Sequence, residues 1–230
     1  MSQFCRCVLL HIRELSESKK ILECFSEEYG RIAFVINIDK HSLPEYFRLM
    51  DVTFFGQAEL KTLQIFEYNQ KYLHLAASEQ VVALYFNELM FYLTKPFDVH
   101  QWLLPLYLTA LAKLKQSSDI DMVIREFEFD LLSKIGFGIN FEQDIDNQLI
   151  NEANWYGFLP LKGFAKVLPN SNKSLNGSML NQLKCKQWQI PPNNKIIQYI
   201  LTAQIQTILG DRQLQSKQLW PSKIFNKEHK

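Results

Sequence analysis

The spacing of apolar residues in this chain changes once, near Ala76, from a period of two to a period of about 3.6. Alternation sends side chains to the two faces of a strand, whereas the longer period lines them along one side of a helix. A chain of 230 residues with a single such switch is constrained to a β part followed by a helical part, an α+β organisation. The switch divides the sequence into residues 1–77 and 78–230. No internal repeat or low-complexity linker separates them, so the two parts are expected to abut.

In the first part, Cys7–Ile12, Ile21–Phe25, Arg31–Ile36, Val52–Phe55 and Leu60–Phe66 are β-prone runs joined by turn formers. Gly30 can take the positive φ of a tight turn between the second and third runs, and Gly56-Gln57 serves between the fourth and fifth. Residues 37–50, with Pro44, read as a connecting loop or short helix, and Tyr72–Leu75 as a last short strand. This is enough for a small closed barrel, and the pattern fits an OB-fold and an SH3-like barrel equally.

In the second part, Ser78 is placed to cap a helix running through Tyr92, and Asp98 to start another that Pro105 would kink. Ser118-Asp-Ile-Asp121 has the form of a capping box and launches a third helix. There Ile124, Phe127, Leu131 and Ile135 share one face, while Arg125, Glu126, Glu128 and Asp130 lie mostly off it. Gly136 should close this helix, and Phe137, Ile139 and Phe141 then alternate as extended chain. Residues 142–170 form an irregular insertion holding a hairpin of Tyr156–Leu159 and Gly163–Val167. Ser174–Lys184 and Ile196–Ile208 read as helices, the latter ending at Gly210. Phe129 is the exception, an apolar residue on the polar side four positions after Arg125. Such a pair fits a binding face, but the pattern alone favours an Arg125–Asp121 ion pair beside an ordinary core phenylalanine.

Net charge is +1, which makes no global case for a polyanionic partner. The distribution is uneven: residues 184–230 hold eight lysines and arginines against two acids. A basic segment of this kind suits a phosphate backbone and suits a solvated tail as well. The four cysteines form no CxxC pair, and Cys5 and Cys7 share one strand face, so free thiols in a reducing cytoplasm are expected rather than a zinc site. No uncharged apolar stretch approaches the length of a membrane span. Phosphate-cradling glycine loops, HExxH and GxSxG are absent, and Asp144 with Asp146 reads as a solvated acidic loop or a weak cation site. The sequence favours a binding protein with no cofactor.

Several segments, in order and at matching spacing, resemble the bacterial recombination mediator family RecO. They are Val8–Arg13, Phe25–Arg31, Glu59–Leu63, Tyr85-Phe-Asn-Glu-Leu89, the Arg-x-Phe-Glu helix running into Gly136-x-Gly138-x-Asn140-Phe141, and Leu214–Leu219. The resemblance implies an N-terminal five-stranded OB-fold barrel and a helical domain, without catalytic turnover, acting in the cytoplasm at the nucleoid. It implies binding of single- and double-stranded DNA, annealing of complementary strands, and work with RecR to load RecA on strands coated by single-strand-binding protein (SSB). It also implies a pocket for the acidic, Phe-ended C-terminal tail of SSB, at positions that Arg125 and Phe129 occupy here.

This chain departs from the family pattern in two places. The loop after the third strand, Asn37–Ser42, is short and nearly neutral where the family's is basic, and only Cys185 lies beyond the Gly-x-Gly segment, as in a zinc-free branch. Phosphate contact is therefore expected from Arg31, Lys40, Arg48 and Lys61 in the barrel and from Lys217 and Lys223 near the C-terminus. Phe34 and Phe54 fit base stacking and fit core packing. An alternative is an interaction adaptor that binds the SSB tail with little direct affinity for DNA.

Overall fold

The computed structural model describes residues 2–68, 73–169 and 174–220. Five strands come first: β1 (Gln3–Ser16), β2 (Lys19–Ser26), β3 (Gly30–Asn37), β4 (Leu49–Phe55) and β5 (Leu60–Tyr68). They close into a barrel in the order β1-β2-β3-β5-β4, and β1 also pairs with β4. Closure between β3 and β5 is parallel and short, from Ala33–Leu60 to Val35–Thr62; every other pairing is antiparallel. This is the OB-fold, and it decides between the two barrels that the pattern allowed. Tyr72 lies outside the described residues, and residues 73–76 are not strand.

Alternation sends Cys5, Cys7, Phe34, Val52 and Phe54 into the barrel. Phe34 and Phe54 touch at 5.1 Å between ring centroids and are fully buried, so neither is open to a base. Gly30 is needed twice over: its φ is +64°, and a Cβ there would sit 2.2 Å from the carbonyl oxygen of Asp98.

The chain forms two compact units, residues 1–123 with 213–230, and residues 124–212. The first thus joins the barrel to α1 (Ala77–Leu93), α2 (Leu103–Gln116) and a terminal 3-10 turn (Gln215–Leu219). Pairing along β1 shifts between Leu9 and His11. Asn87 of α1 donates to the carbonyls of Leu9 and Leu10 at this point, and it accepts from the Tyr107 hydroxyl of α2 at 2.6 Å. One buried amide therefore joins strand and both helices, and satisfies groups that the ladder leaves. Glu88 likewise accepts from the Gln215 and Ser216 backbone and the Ser216 hydroxyl, which fastens the terminal turn to α1.

Helix starts differ from expectation by short steps. Ala76 precedes α1 and donates to Glu79, so Ser78 lies inside the helix rather than capping it. α2 begins at Leu103, not Asp98, which puts Pro105 in the first turn; there its missing N–H costs nothing and no kink arises.

The second unit holds most of α3 (Ile120–Lys134), then a three-stranded sheet of order β7-β6-β8, α4 (Gly177–Lys184) and α5 (Asn193–Leu209). Asp119, not Ser118, caps α3 by accepting from the Met122 N–H at 3.0 Å. At its other end Gly136 has a φ of +85°, Phe137 donates to Leu132, and Gly136 to Ser133, the bonding of a Schellman motif. Residues 137–140 carry on without strand pairing. The expected hairpin is β6 (Trp155–Leu159) with β7 (Gly163–Val167), and β8 (Ser174–Asn176) adds a strand where helix was expected. Asn176 caps α4 through the Ser178 N–H, so the helix starts after it.

Candidate functional site

In α3 the expected apolar face is present, with Ile124, Phe127 and Leu131 buried. The polar side is less exposed than the spacing implied. Arg125 and Glu128 are both buried and ion-paired at 2.5 Å between Nη1 and Oε2, so Glu128 is a partner that the Arg125–Asp121 alternative did not consider. A buried cation next to a buried carboxylate forms a neutral unit, and α3 can be enclosed on that side too.

Phe129, one turn after Arg125, is half-buried. Its ring meets Trp188 edge-on at 5.1 Å and Phe141 at 6.4 Å. Behind these, Phe141 packs on Phe164, and Phe164 on Phe158, each at 5.3 Å. Trp188 is 1% exposed and donates its indole N–H to the Leu183 carbonyl, which fixes the ring. Phe129 is thus the outer edge of a rigid aromatic stack. Lys186 stands over that edge, with Nζ 5.2 Å from the Phe129 centroid and 5.6 Å from that of Trp188. Sequence reading missed both Lys186 and Trp188; the signal was there in Lys184-Cys-Lys-Gln-Trp188, a tryptophan preceded by two lysines.

Asp144 is not part of a solvated loop. It is 5% exposed, its Oδ1 accepts from the Asp146 and Gln148 N–H groups, and Oδ2 lies 3.6 Å from Lys166 Nζ. Its charge is used to turn the chain. Among the described residues no three His, Cys, Asp or Glu side chains gather as a metal site.

The barrel carries a second candidate region. Leu15, Lys19, Val35, Lys40, His41 and Phe55 line an open groove of about 560 Å³. Asn37 folds the short loop after β3, accepting from Asp39 with its side chain and from Lys40 and His41 with its carbonyl. Lys19 and Lys40 are exposed there, and Phe55, the outward neighbour of buried Phe54, is 45% exposed. The other expected barrel cations are occupied within the fold. Arg31 donates to the Phe91 carbonyl in the last turn of α1 and covers that ring at 4.7 Å, so it satisfies a carbonyl that the helix end leaves open. Arg48 lies 3.6 Å over Tyr68 and pairs with Glu45. Lys61 is 9% exposed, with Nζ 5.7 Å from the Phe97 centroid. Lys217 is exposed and lies 5.5 Å over Tyr85; Lys223 falls outside the described residues.

Comparison with known families matches residues 1–72 to the description "Recombination protein O N terminal" and residues 78–206 to "Recombination protein O C terminal". The chain belongs to the RecO family. Relatives named "DNA repair protein RecO" include one from Idiomarina loihiensis, 27% identical over 226 residues, covering 94% of this chain and 96% of the relative. The relative from Aliivibrio fischeri is 27% identical over 223 residues, covering 94% of each chain. That from Stutzerimonas stutzeri is 27% identical over 215 residues, covering 92% of this chain and 91% of its own. The two RecO family matches fall either side of the switch in spacing near Ala76.

Proposed function

We propose that this RecO family protein is a DNA repair and recombination mediator without catalytic turnover, acting in the cytoplasm at the nucleoid. Its barrel binds single- and double-stranded DNA and supports annealing of complementary strands. Its helical part holds the C-terminal tail of SSB, and with RecR the protein loads RecA on SSB-coated single strands. The observation that carries this reading is the half-buried Phe129 at the rim of a fixed aromatic stack. A peptide that ends in an aromatic residue needs an apolar slot of this kind. Arg125 contributes from beneath, holding α3 through Glu128 rather than meeting the peptide at the surface.

The test is strand annealing on bare and on SSB-coated DNA, with wild type and Phe129→Ala. Loss on coated DNA alone is expected; equal annealing by both proteins on coated DNA would remove the tail reading. A second reading, an adaptor with little DNA affinity, is favoured by the engagement of Arg31, Arg48 and Lys61 within the barrel's own surroundings. A flat salt dependence of single-strand binding would support it over the mediator.

A further inference from the structure

We infer that the cleft between β1, α1 and the terminal turn receives an arginine of a partner protein, with an apolar residue next to that arginine in the partner's chain. This does not depend on the reading of Phe129.

The cleft holds about 240 Å³, and all of its lining belongs to the first compact unit. Consecutive residues of a regular strand face opposite sides. Leu10 and His11 nevertheless both line the cleft, because pairing along β1 shifts between Leu9 and His11. From α1 come Leu84, Glu88 and Phe91, at spacings of four and three, which makes them one wall.

Glu88 gives this wall its charge. Its Oε1 accepts from the Gln215 N–H, and its Oε2 from the Ser216 N–H and hydroxyl. All three donors are neutral, and among the described residues no cation pairs with this carboxylate. A carboxylate has about four acceptor positions, so three donors leave room for another. A partly buried charge answered only by neutral groups favours a cation, and charge-assisted bonds are the stronger ones.

Aromatic walls favour the same ligand, because a ring face attracts a cation. Within this unit Arg48 lies over Tyr68 and Lys217 over Tyr85, so the fold uses the pairing repeatedly. Arg31 already covers Phe91; Tyr46 and Tyr92, both partly exposed, are the rings for an incoming guanidinium. Arginine suits the cleft better than lysine, since its planar fork can stack on a ring while donating to Glu88. Leu219, also in the lining, is 59% exposed. A small organic cation would leave it bare, whereas a peptide with an apolar residue beside its arginine covers it. The occupant is therefore a protein segment.

The experiment titrates the nitrogen-15-labelled full-length protein with acetyl-Leu-Arg-amide, with its citrulline counterpart and with agmatine, and follows the amide shifts. The arginine dipeptide should move the amides of Leu10, His11, Glu88 and Ser216. Citrulline, which keeps the shape but not the charge, should bind about tenfold more weakly. Agmatine, which lacks the leucine, should bind about fivefold more weakly. Glu88→Gln should also weaken the dipeptide about tenfold. Because that change can loosen the terminal turn, Leu84→Trp is the second variant: it fills the cleft, leaves Glu88 in place, and should abolish the shifts with little change in urea midpoint. Equal binding of the arginine and citrulline dipeptides to wild type overturns the inference, as does an absence of shifts at the cleft. Dipeptide binding that Leu84→Trp leaves unchanged overturns the location. Agmatine binding as tight as the dipeptide's makes this a site for a small organic cation and overturns the protein partner.

Discussion

Arg125 and Glu128 are each other's buried counter-charge, three residues apart on α3. Removing one partner takes this ion pair from a charge that stays buried. Arg125→Ala should therefore destabilise the protein by about 3–5 kcal/mol, read from urea unfolding. Arg125→Met combined with Glu128→Leu should recover most of that loss. The outcome separates a structural arginine from a ligand contact: if Arg125→Ala is as stable as wild type, the pair is not closed as described.

Asn87 joins the β1 register shift to two helices, so its loss leaves the Leu9 and Leu10 carbonyls and the Tyr107 hydroxyl short of a partner. Asn87→Leu fills the same space without the bonds. A cost of about 3 kcal/mol is expected in chemical denaturation. Faster amide exchange around residues 9–11 should accompany it.

The barrel thiols set an alkaline limit. Burial pushes the Cys7 thiol well up; the side-chain hydrogen bond with Cys7, and then burial, push Cys5 up. Burial does the same to the Tyr107 hydroxyl. All three are held protonated in the fold, so their contribution is complete below the unfolded value, about pH 8.5 for a thiol and about pH 10 for the tyrosine, which leaves the slope below pH 10 to the thiols. Above that, only the unfolded chain releases the protons. Stability should fall by up to about 1.4 kcal/mol per pH unit for each group. Urea midpoints measured between about pH 7 and about pH 10 check the slope.

Cys185, by contrast, is exposed while Cys5, Cys7 and Cys24 are buried. Iodoacetamide should label a single site in the folded protein, and four after denaturation. Because Cys185 adjoins Lys186, a bound tail peptide should slow that labelling, as mass spectrometry would show.

Lys19 and Lys40 are the exposed cations of the barrel groove. Charge reversal at either should lower the slope of log affinity against log salt for single strands by about 0.7. Lys61→Ala should leave that slope in place, since its ammonium is turned to Phe97. Anisotropy titrations with labelled oligothymidine at several salt concentrations provide the measurement.

The barrel was readable because its strands alternate and its turns sit on Gly30 and Gly56, which are local signals. Alternation alone did not choose the OB-fold, because the parallel β3–β5 contact joins segments that no local pattern couples; the family resemblance supplied that choice. Helix bodies followed from spacing; their first residues did not, because caps such as Asp119 compete with equally plausible neighbours one position away. Phe129 stood out as an apolar residue on a polar face. Its stack with Trp188 brings together residues 59 positions apart, and the lysine over both rings was invisible for the same reason. Charge counts also misled at Arg31 and Lys61: a formal cation does not reveal that an aromatic ring or a helix end has already claimed it.

The Glu88 carboxylate grips the backbone of Gln215 and Ser216 across 127 and 128 residues of chain. During synthesis the barrel and its first helix emerge early, yet this grip must wait for Gln215, made 127 residues after Glu88. Until then α1 carries an unanswered carboxylate on the face that the last turn will cover. A ribosome-bound fragment lacking the Gln215–Leu219 turn is thus a barrel with an open flank, and emergence of that turn is what seals it.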